Sequence, residues 1–245
     1  MEVSEKIVFI KDWILNYVNS MPNSAKSLVI GISGGIDSSV ASTLCAMTGI
    51  KTIVLTMPIK QIRSQHDLSL KHEKWLINKF NNIESHTIEL DEVFKSFNLK
   101  LSNFKSEHGL ANSRARVRMT TLYQVAAAKN GIVVGTGNKI EDFGIGFYTK
   151  YGDGGVDISP IADCTKTEIW ELGRELEILE EIVQAQPTDG LWDDGRTDVG
   201  QLGLTYQELE DAMNNSNSPH RSKYLEKRKL NLHKMQPIPV CKIPK

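Results

Sequence analysis

Leu28-Val29-Ile30-Gly31-Ile32-Ser33-Gly34-Gly35-Ile36-Asp37-Ser38-Ser39 is the stretch on which the fold turns. Leu28 to Ile32 is a short apolar run that reads as a strand. Val40 to Met47 reads as a helix. Between them lies a turn of glycines and serines. A strand, a Gly-rich turn and a helix start together point unpaired backbone N–H groups at one spot, which suits a phosphate. Gly34 and Gly35 let the backbone approach a ligand closely. The serines add hydroxyl donors. A carboxylate at position 37 repels bound phosphates unless a cation intervenes, so the segment predicts a nucleotide accompanied by Mg²⁺. The same residues also suit a plain helix cap. No lysine follows the glycines as it does in G-x-x-x-x-G-K-[ST], so the usual γ-phosphate transfer apparatus is not indicated.

Working outward, apolar residues at helical spacing predict an amphipathic helix from Val3 to Ser20, broken by Pro22-Asn23-Ser24. Thr52 to Thr56 reads as a second strand and Gln65 to Phe80 as a charged helix. Ser85 to Leu90 is a third strand, followed by Asp91 as a helix cap. Residues 98–110 are weakly patterned and read as a mobile loop. Asn112 to Lys129 is a long helix and Ile132 to Gly135 a fourth strand. This alternation predicts an α/β fold, a doubly wound parallel sheet with flanking helices. Ligands of such sheets sit beyond the carboxyl ends of strands, which singles out Ser33–Ser39 and Thr136–Asp142. Beyond residue 142 come glycine-rich loops, a helix from Thr165 to Leu179, and a loop rich in Asp and Gly over 187–203. Two terminal helices, Thr205 to Asn214 and Ser218 to Leu232, precede an extended tail.

The 245 residues suit one large domain, residues 1–245. With a net charge of −1, no surface built for broad nucleic-acid binding is indicated. The N-terminus lacks a signal-peptide layout and no apolar run is long enough to span a membrane. Cys45, Cys164 and Cys241 form neither a zinc pattern nor a disulfide framework, so reduced thiols in a cytoplasmic protein are expected. Cys45 and Cys164 read as packing residues.

Two further segments carry chemistry. Gly135-Thr136-Gly137-Asn138-Lys139-Ile140-Glu141 places a hydroxyl, an amide and a carboxylate just past a buried strand. Glu141 can complete a magnesium site with Asp37, because two carboxylates on separate loops can grip one hard cation carried by ATP phosphates. A solvated Glu in a Gly-rich turn is the plainer reading. Phe147-Tyr148-Thr149-Lys150-Tyr151-Gly152-Asp153-Gly154-Gly155-Val156-Asp157 packs rings, a lysine and two aspartates into one loop. Rings stack on flat ligands and a lysine attracts anionic ones.

The motif S-G-G-x-D-S resembles the pyrophosphate loop of the ATP pyrophosphatase superfamily. With G-T-x-N-K-x-E and F-Y-T-K-Y-G-D-G-G-x-D in that order, the chain resembles the NAD synthetase family along nearly its whole length. Further matches are Thr165-Lys166-Thr167-Glu168, Gln186-Pro187-Thr188, Leu202 to Tyr206 and His233-Lys234.

The resemblance implies an adenine nucleotide alpha hydrolase-like, Rossmann-related fold. It implies ATP-driven adenylation of deamido-NAD followed by attack of ammonia, in a homodimer without a glutaminase domain. Gly31, Ile32, Ser33, Gly34, Gly35, Ile36, Asp37 and Ser38 would hold ATP phosphates. Arg118, Thr136, Lys166 and Thr188 would contact ATP, and Asp37 with Glu141 would bind Mg²⁺. Arg116, Lys150, Asp157, His233 and Lys234 would contact deamido-NAD. Asp153 and Lys166 would act in catalysis, Asp153 near the nicotinate end and the incoming ammonia. The long helix from Asn112, with Val117, Leu122, Val125 and Ala126, suits a subunit contact or an intramolecular one equally.

Arg114, Arg116 and Arg118 spread over roughly 200° of a helix, so not all three face one ligand, and Arg114 is expected in solvent. The interval from Glu141 to Lys150 is one residue longer than the resemblance leads one to expect. Asp142 therefore competes with Glu141 as the metal residue, with Glu141 favoured by the Asn-Lys-x pattern. Residues 98–110 and 187–203 are the lid candidates. GMP synthetase, asparagine synthetase and tRNA-thiolating enzymes share the first loop, but the tRNA enzymes should show basic surfaces absent here. A nucleotide-binding module without catalysis need not carry Asp37, Glu141, Lys166 and the Lys150–Asp157 loop together.

Overall fold

Strand β1 (Ser27–Gly31) runs between β2 (Lys51–Thr56) and β4 (Gly131–Val133), with β3 (Ile83–Thr87) outside β2. In this computed structural model, which describes residues 1–244, every strand pair is parallel and the order is β3-β2-β1-β4. Val29 pairs with Ile53 on one side and Val133 on the other. Leu28, Val29 and Ile30 are fully buried, as expected of a parallel strand covered on both faces.

One face is covered by α1 (Val3–Ser20), α2 (Ile36–Met47), α3 (Arg63–Lys79), α6 (Lys166–Glu175) and the short α7 (Glu180–Val183). Ile7, Ile10, Ile14 and Val18 of α1 recur at helical spacing and face this core, and Cys45 and Cys164 are buried in it. The other face is covered by α4 (Asp91–Lys100) and α5 (Glu107–Ala128). Val117, Leu122, Val125 and Ala126 of α5 pack there, against the chain's own sheet. A third cluster joins Ile140 and Ile145 to α8 (Asp198–Leu202), α9 (Tyr206–Asn214) and α10 (Arg221–Met235).

Several boundaries differ from the sequence reading. Helix α2 begins at Ile36, so Asp37 lies in its first turn rather than in the loop before it. Helix α5 begins at Glu107, because Ser106 caps it by accepting the Gly109 N–H at 3.0 Å. The expected loop over 98–110 thereby shrinks to a short turn between two helices. Asp91 does not cap α4; Leu90 holds that position and the Asp91 carboxylate accepts the Lys60 N–H at 2.6 Å. β3 lies at Ile83–Thr87, earlier than expected, and α6 ends at Glu175, short of Leu179.

Residues Ile140–Ile145 form a π-helical turn that no apolar pattern announced. A π-turn closes i to i+5 and takes up one residue more than an α-turn. Gly146, at φ +67°, ends the turn. From α10, Arg228 donates to Gly144 O at 2.6 Å and Asn231 to Ile145 O at 3.0 Å, satisfying carbonyls the turn leaves open.

Candidate active site

β1 and β4 are neighbours, yet the chain proceeds from β1 to β2 on the opposite side. The two loops at their carboxyl ends diverge and leave a crevice between them. A cavity of about 270 Å³ occupies it. Gly31 to Ser38, Arg118, Thr136, Glu141, Asp153, Lys166 and Thr188 all line it.

The Ser33–Ser39 loop is held by its own hydroxyls. Ser38 Oγ donates to Gly35 O at 3.0 Å and accepts the Ser33 N–H at 3.2 Å. Gly34 has φ +90°, and a Cβ there would stand 2.6 Å from Gln65 O and 2.8 Å from Ser69 N. Only glycine fits a left-handed turn against backbone that close.

Lys166 opens α6, which is started by a capping box between Thr165 and Glu168. Its ammonium is almost wholly buried, pairs with Asp37 and lies 3.5 Å from Glu141 Oε1. Asn138, fully buried, donates to Asp37 Oδ1 at 3.0 Å. Its own oxygen accepts the N–H groups of Ile140 (3.0 Å) and Glu141 (3.2 Å), which aligns the start of the π-turn. Tyr206 Oη lies 2.6 Å from Glu141 Oε1 and 2.8 Å from Asp198 Oδ2.

Burial pushes the Glu141 carboxyl up; Lys166 opposes this, while Asp37 and Asp198 reinforce it. Burial also pushes Asp198 up to about 6. Burial alone would lower the Lys166 ammonium, but Asp37 and Glu141 outweigh it and hold that charge above its ordinary value. Arg118 is lowered to about 10, by burial first and then by Arg114. Three carboxylates therefore face one lysine, and Asp198 Oδ1 is buried without a hydrogen-bond partner. Among the described residues no group of three or more His, Cys, Asp or Glu side chains is arranged to hold a metal ion alone. The donor set fits a divalent cation whose remaining ligands come from a phosphate-bearing molecule.

Asp142 points elsewhere. It lines a second cavity of about 130 Å³ with Tyr148, Asp153 and Lys234. Its carboxyl is pushed up to about 7, by burial first and then by Asp153 and Asp37. Asp153 borders both cavities and accepts the Thr149 N–H at 2.9 Å.

The other sequence candidates gather differently. Arg116, Lys150 and His233 line neither cavity. Arg116 donates to Lys150 O at 3.3 Å, Lys150 to His233 O at 3.3 Å, and Lys234 to Tyr148 O at 2.7 Å. These residues assemble where the end of α10 crosses the 147–157 loop. Asp157 stands apart, accepting the Val133 N–H at 2.7 Å and the Tyr123 hydroxyl at 3.0 Å.

Arg114 is not in solvent. It is buried, donates to Leu191 O at 3.0 Å, pairs with Asp193 and lies over the Phe94 ring at 5.2 Å. It fastens the 187–203 segment, whose Pro187 to Leu191 wall the main cavity. Asn138, Asp198 and Tyr206 were not singled out from sequence, although Asn138 and Tyr206 lie inside matched motifs.

Comparison with known proteins bears on this geometry. The family model described as NAD synthase matches residues 6–241. An NH(3)-dependent NAD(+) synthetase of Carboxydothermus hydrogenoformans is 37% identical over 214 residues, covering 85% of this chain and 83% of the relative. One of Mesoplasma florum is 38% identical, covering 93% of each. Among solved structures, an NMN synthetase from Francisella tularensis superposes with a TM-score of 0.89 at 32% identity, covering 99% of this chain and 100% of that one. An NH3-dependent NAD synthetase from Campylobacter jejuni gives 0.79 at 26% identity, covering 99% and 100%.

Proposed function

This chain belongs to the NAD synthase family, and from that premise we propose how its site works. It is an ammonia-dependent NAD synthetase, a ligase that forms an amide bond at the expense of ATP. The observation that carries the mechanism is the convergence of Lys166, Asp37 and Glu141 on the phosphate loop.

An ionised carboxylate resists attack by ammonia, so it must first gain a leaving group. An oxygen of the nicotinate carboxylate attacks the α-phosphorus of ATP, and the bond to pyrophosphate breaks. Ammonia then attacks the carbonyl carbon, the bond to AMP breaks, and nitrogen loses a proton. The open backbone N–H groups at the start of α2, Ile36 to Ser38, and the Lys166 ammonium face the oxygens on which charge accumulates. Arg118, Thr136 and Thr188 hold the nucleotide in line. Asp37 and Glu141 would hold Mg²⁺, which when bound supplies further positive charge against the phosphates. Asp153, between the two cavities, orients the incoming ammonia. Arg116, Lys150, Asp157, His233 and Lys234 are assigned to the pyridine nucleotide.

The reading extends to a cytoplasmic homodimer. No described helix is long and apolar enough to cross a membrane. Phe97, Leu99, Leu101 and Phe104, at the end of α4 and after it, are exposed apolar residues that suit a subunit contact. Sedimentation at micromolar concentration tests the dimer.

A second reading of the substrate is favoured by one observation. The Francisella tularensis structure, with its TM-score of 0.89, is named for the mononucleotide NMN. Purified protein given ATP, Mg²⁺ and ammonium should amidate deamido-NAD and release AMP. Nicotinate mononucleotide in a parallel reaction separates the readings: a kcat/KM more than tenfold in its favour would replace deamido-NAD as the substrate. ADP as the product from either would overturn both.

A further inference from the structure

We infer that Tyr206 and Asp198 are positioning residues for Glu141, and that they tie the loop carrying Thr188 to the metal-binding carboxylate. The inference rests on the assignment of Glu141 as a metal ligand. Glu141 sits on a π-turn, and its side chain has two close polar neighbours. Lys166 is 3.5 Å away and already engaged by Asp37; Tyr206 Oη is 2.6 Å away. The hydroxyl is therefore the contact that fixes where Glu141 Oε1 lies.

The phenol is itself held firmly. Tyr206 opens α9, whose start is set by a capping box between Thr205 and Glu208. Its ring is 2% exposed and meets Trp170 edge-on at 6.3 Å and 86°. Lys166 Nζ lies 4.6 Å from the ring centre. A cation over the ring and a carboxylate at its hydroxyl make Tyr206 a template for both groups.

Asp198 stands behind the hydroxyl at 2.8 Å. A phenol has one hydrogen, so it cannot donate to both carboxylates at once. Asp198 is buried, borders the main cavity, and its Oδ1 has no partner. Such a side chain is costly unless it serves the site. Its backbone N–H donates to Pro187 O at 3.0 Å, closing the base of the 187–197 loop. The loop wall and the metal carboxylate are thus joined through one hydroxyl. Residues that orient ligands in this way typically change metal affinity by 10–100-fold when lost.

The test uses Mn²⁺ as the probe, titrated into the full-length protein with ATP and followed by electron paramagnetic resonance. Tyr206→Phe keeps the ring and removes the hydroxyl. It should weaken Mn²⁺ binding about tenfold and raise the Mg²⁺ activation constant equally. Excess Mg²⁺ should restore part of the turnover lost at moderate Mg²⁺, the mark of a weakened metal site rather than of a lost reacting group. Asp198→Asn should shift Mn²⁺ binding in the same direction by a smaller factor. An unchanged Mn²⁺ constant in a folded Tyr206→Phe protein overturns the proposal. Should that variant not fold, an unchanged constant in Asp198→Asn does so. Glu141→Ala separates the underlying assignment: Mn²⁺ binding unaffected by that change would remove Glu141 as a ligand altogether.

Discussion

The ammonium of Lys166 is closed on the carboxylate of Asp37, a residue 129 positions earlier in the chain. The contact joins the first turn of α2 to the first residue of α6, so the Ser33–Ser39 loop and α6 share one buried charge pair. Lys166→Gln would leave Asp37 and Glu141 facing each other without a cation. Loss of one partner of a buried pair costs about 3–5 kcal/mol. We expect a loss of that order in urea denaturation at pH 8. AMP formation should fall by roughly 100-fold or more, the usual effect of removing a preorganised donor.

Glu141 and Asp142 face different cavities, which gives their alanine variants different signatures. Glu141→Ala should lose most of its Mg²⁺ dependence at moderate concentrations. Asp142→Ala should keep a normal Mg²⁺ activation curve. Initial rates across a Mg²⁺ series read both. Loss of metal dependence in Asp142→Ala with its retention in Glu141→Ala would reverse the assignment.

The sheet and the two site loops were legible because their signals are local. β1, β2 and β4 are short apolar runs, and the Gly-rich turns follow β1 and β4 directly. The start of α5 was hidden because Glu107-His108-Gly109 carries no apolar face; a single serine cap decides it. The π-turn over Ile140–Ile145 has no apolar period to announce it. Arg114 illustrates a different limit. Helical geometry correctly separates it from Arg116 and Arg118, but what covers its face comes from a loop 77 residues later. Tyr206 and Asp198 are likewise brought to Glu141 by tertiary packing alone.

Arg114 fastens the 187–203 segment, so Arg114→Ala should free it. Trypsin should cut after Arg196 several-fold faster than in the unaltered protein, with cutting slowed in both by ATP and deamido-NAD. The KM for ATP should rise, because Thr188 and Pro187 belong to the same segment. Equal cutting rates in the two proteins would show that the arginine does not restrain the loop.

His72 provides a pH signature remote from the reaction. It is fully buried, its Nε2 lies 2.9 Å from Ser42 Oγ and its Nδ1 has no partner. Burial lowers its pKa from 6.5 to about 4. The unfolded chain then binds the proton more readily than the folded one, so the neutral imidazole costs nothing above about pH 6.5. Between pH 6.5 and 4 it becomes a growing penalty, reaching roughly 3 kcal/mol at its limit. His72→Leu removes this titration. The Tm of the leucine variant relative to the unaltered protein should therefore rise as pH falls from 7 to 4.5; a difference independent of pH would contradict the assignment.

The Ser33–Ser39 loop, Asp37, Glu141 and Lys166 are proposed to serve adenylation of a carboxylate. Deamido-NAD carrying oxygen-18 in its nicotinate carboxylate tests it in one turnover with ATP, Mg²⁺ and ammonium. One labelled oxygen should leave on the phosphate of AMP, detected by mass spectrometry. Label in inorganic phosphate, or AMP that carries none while NAD is formed, would contradict it.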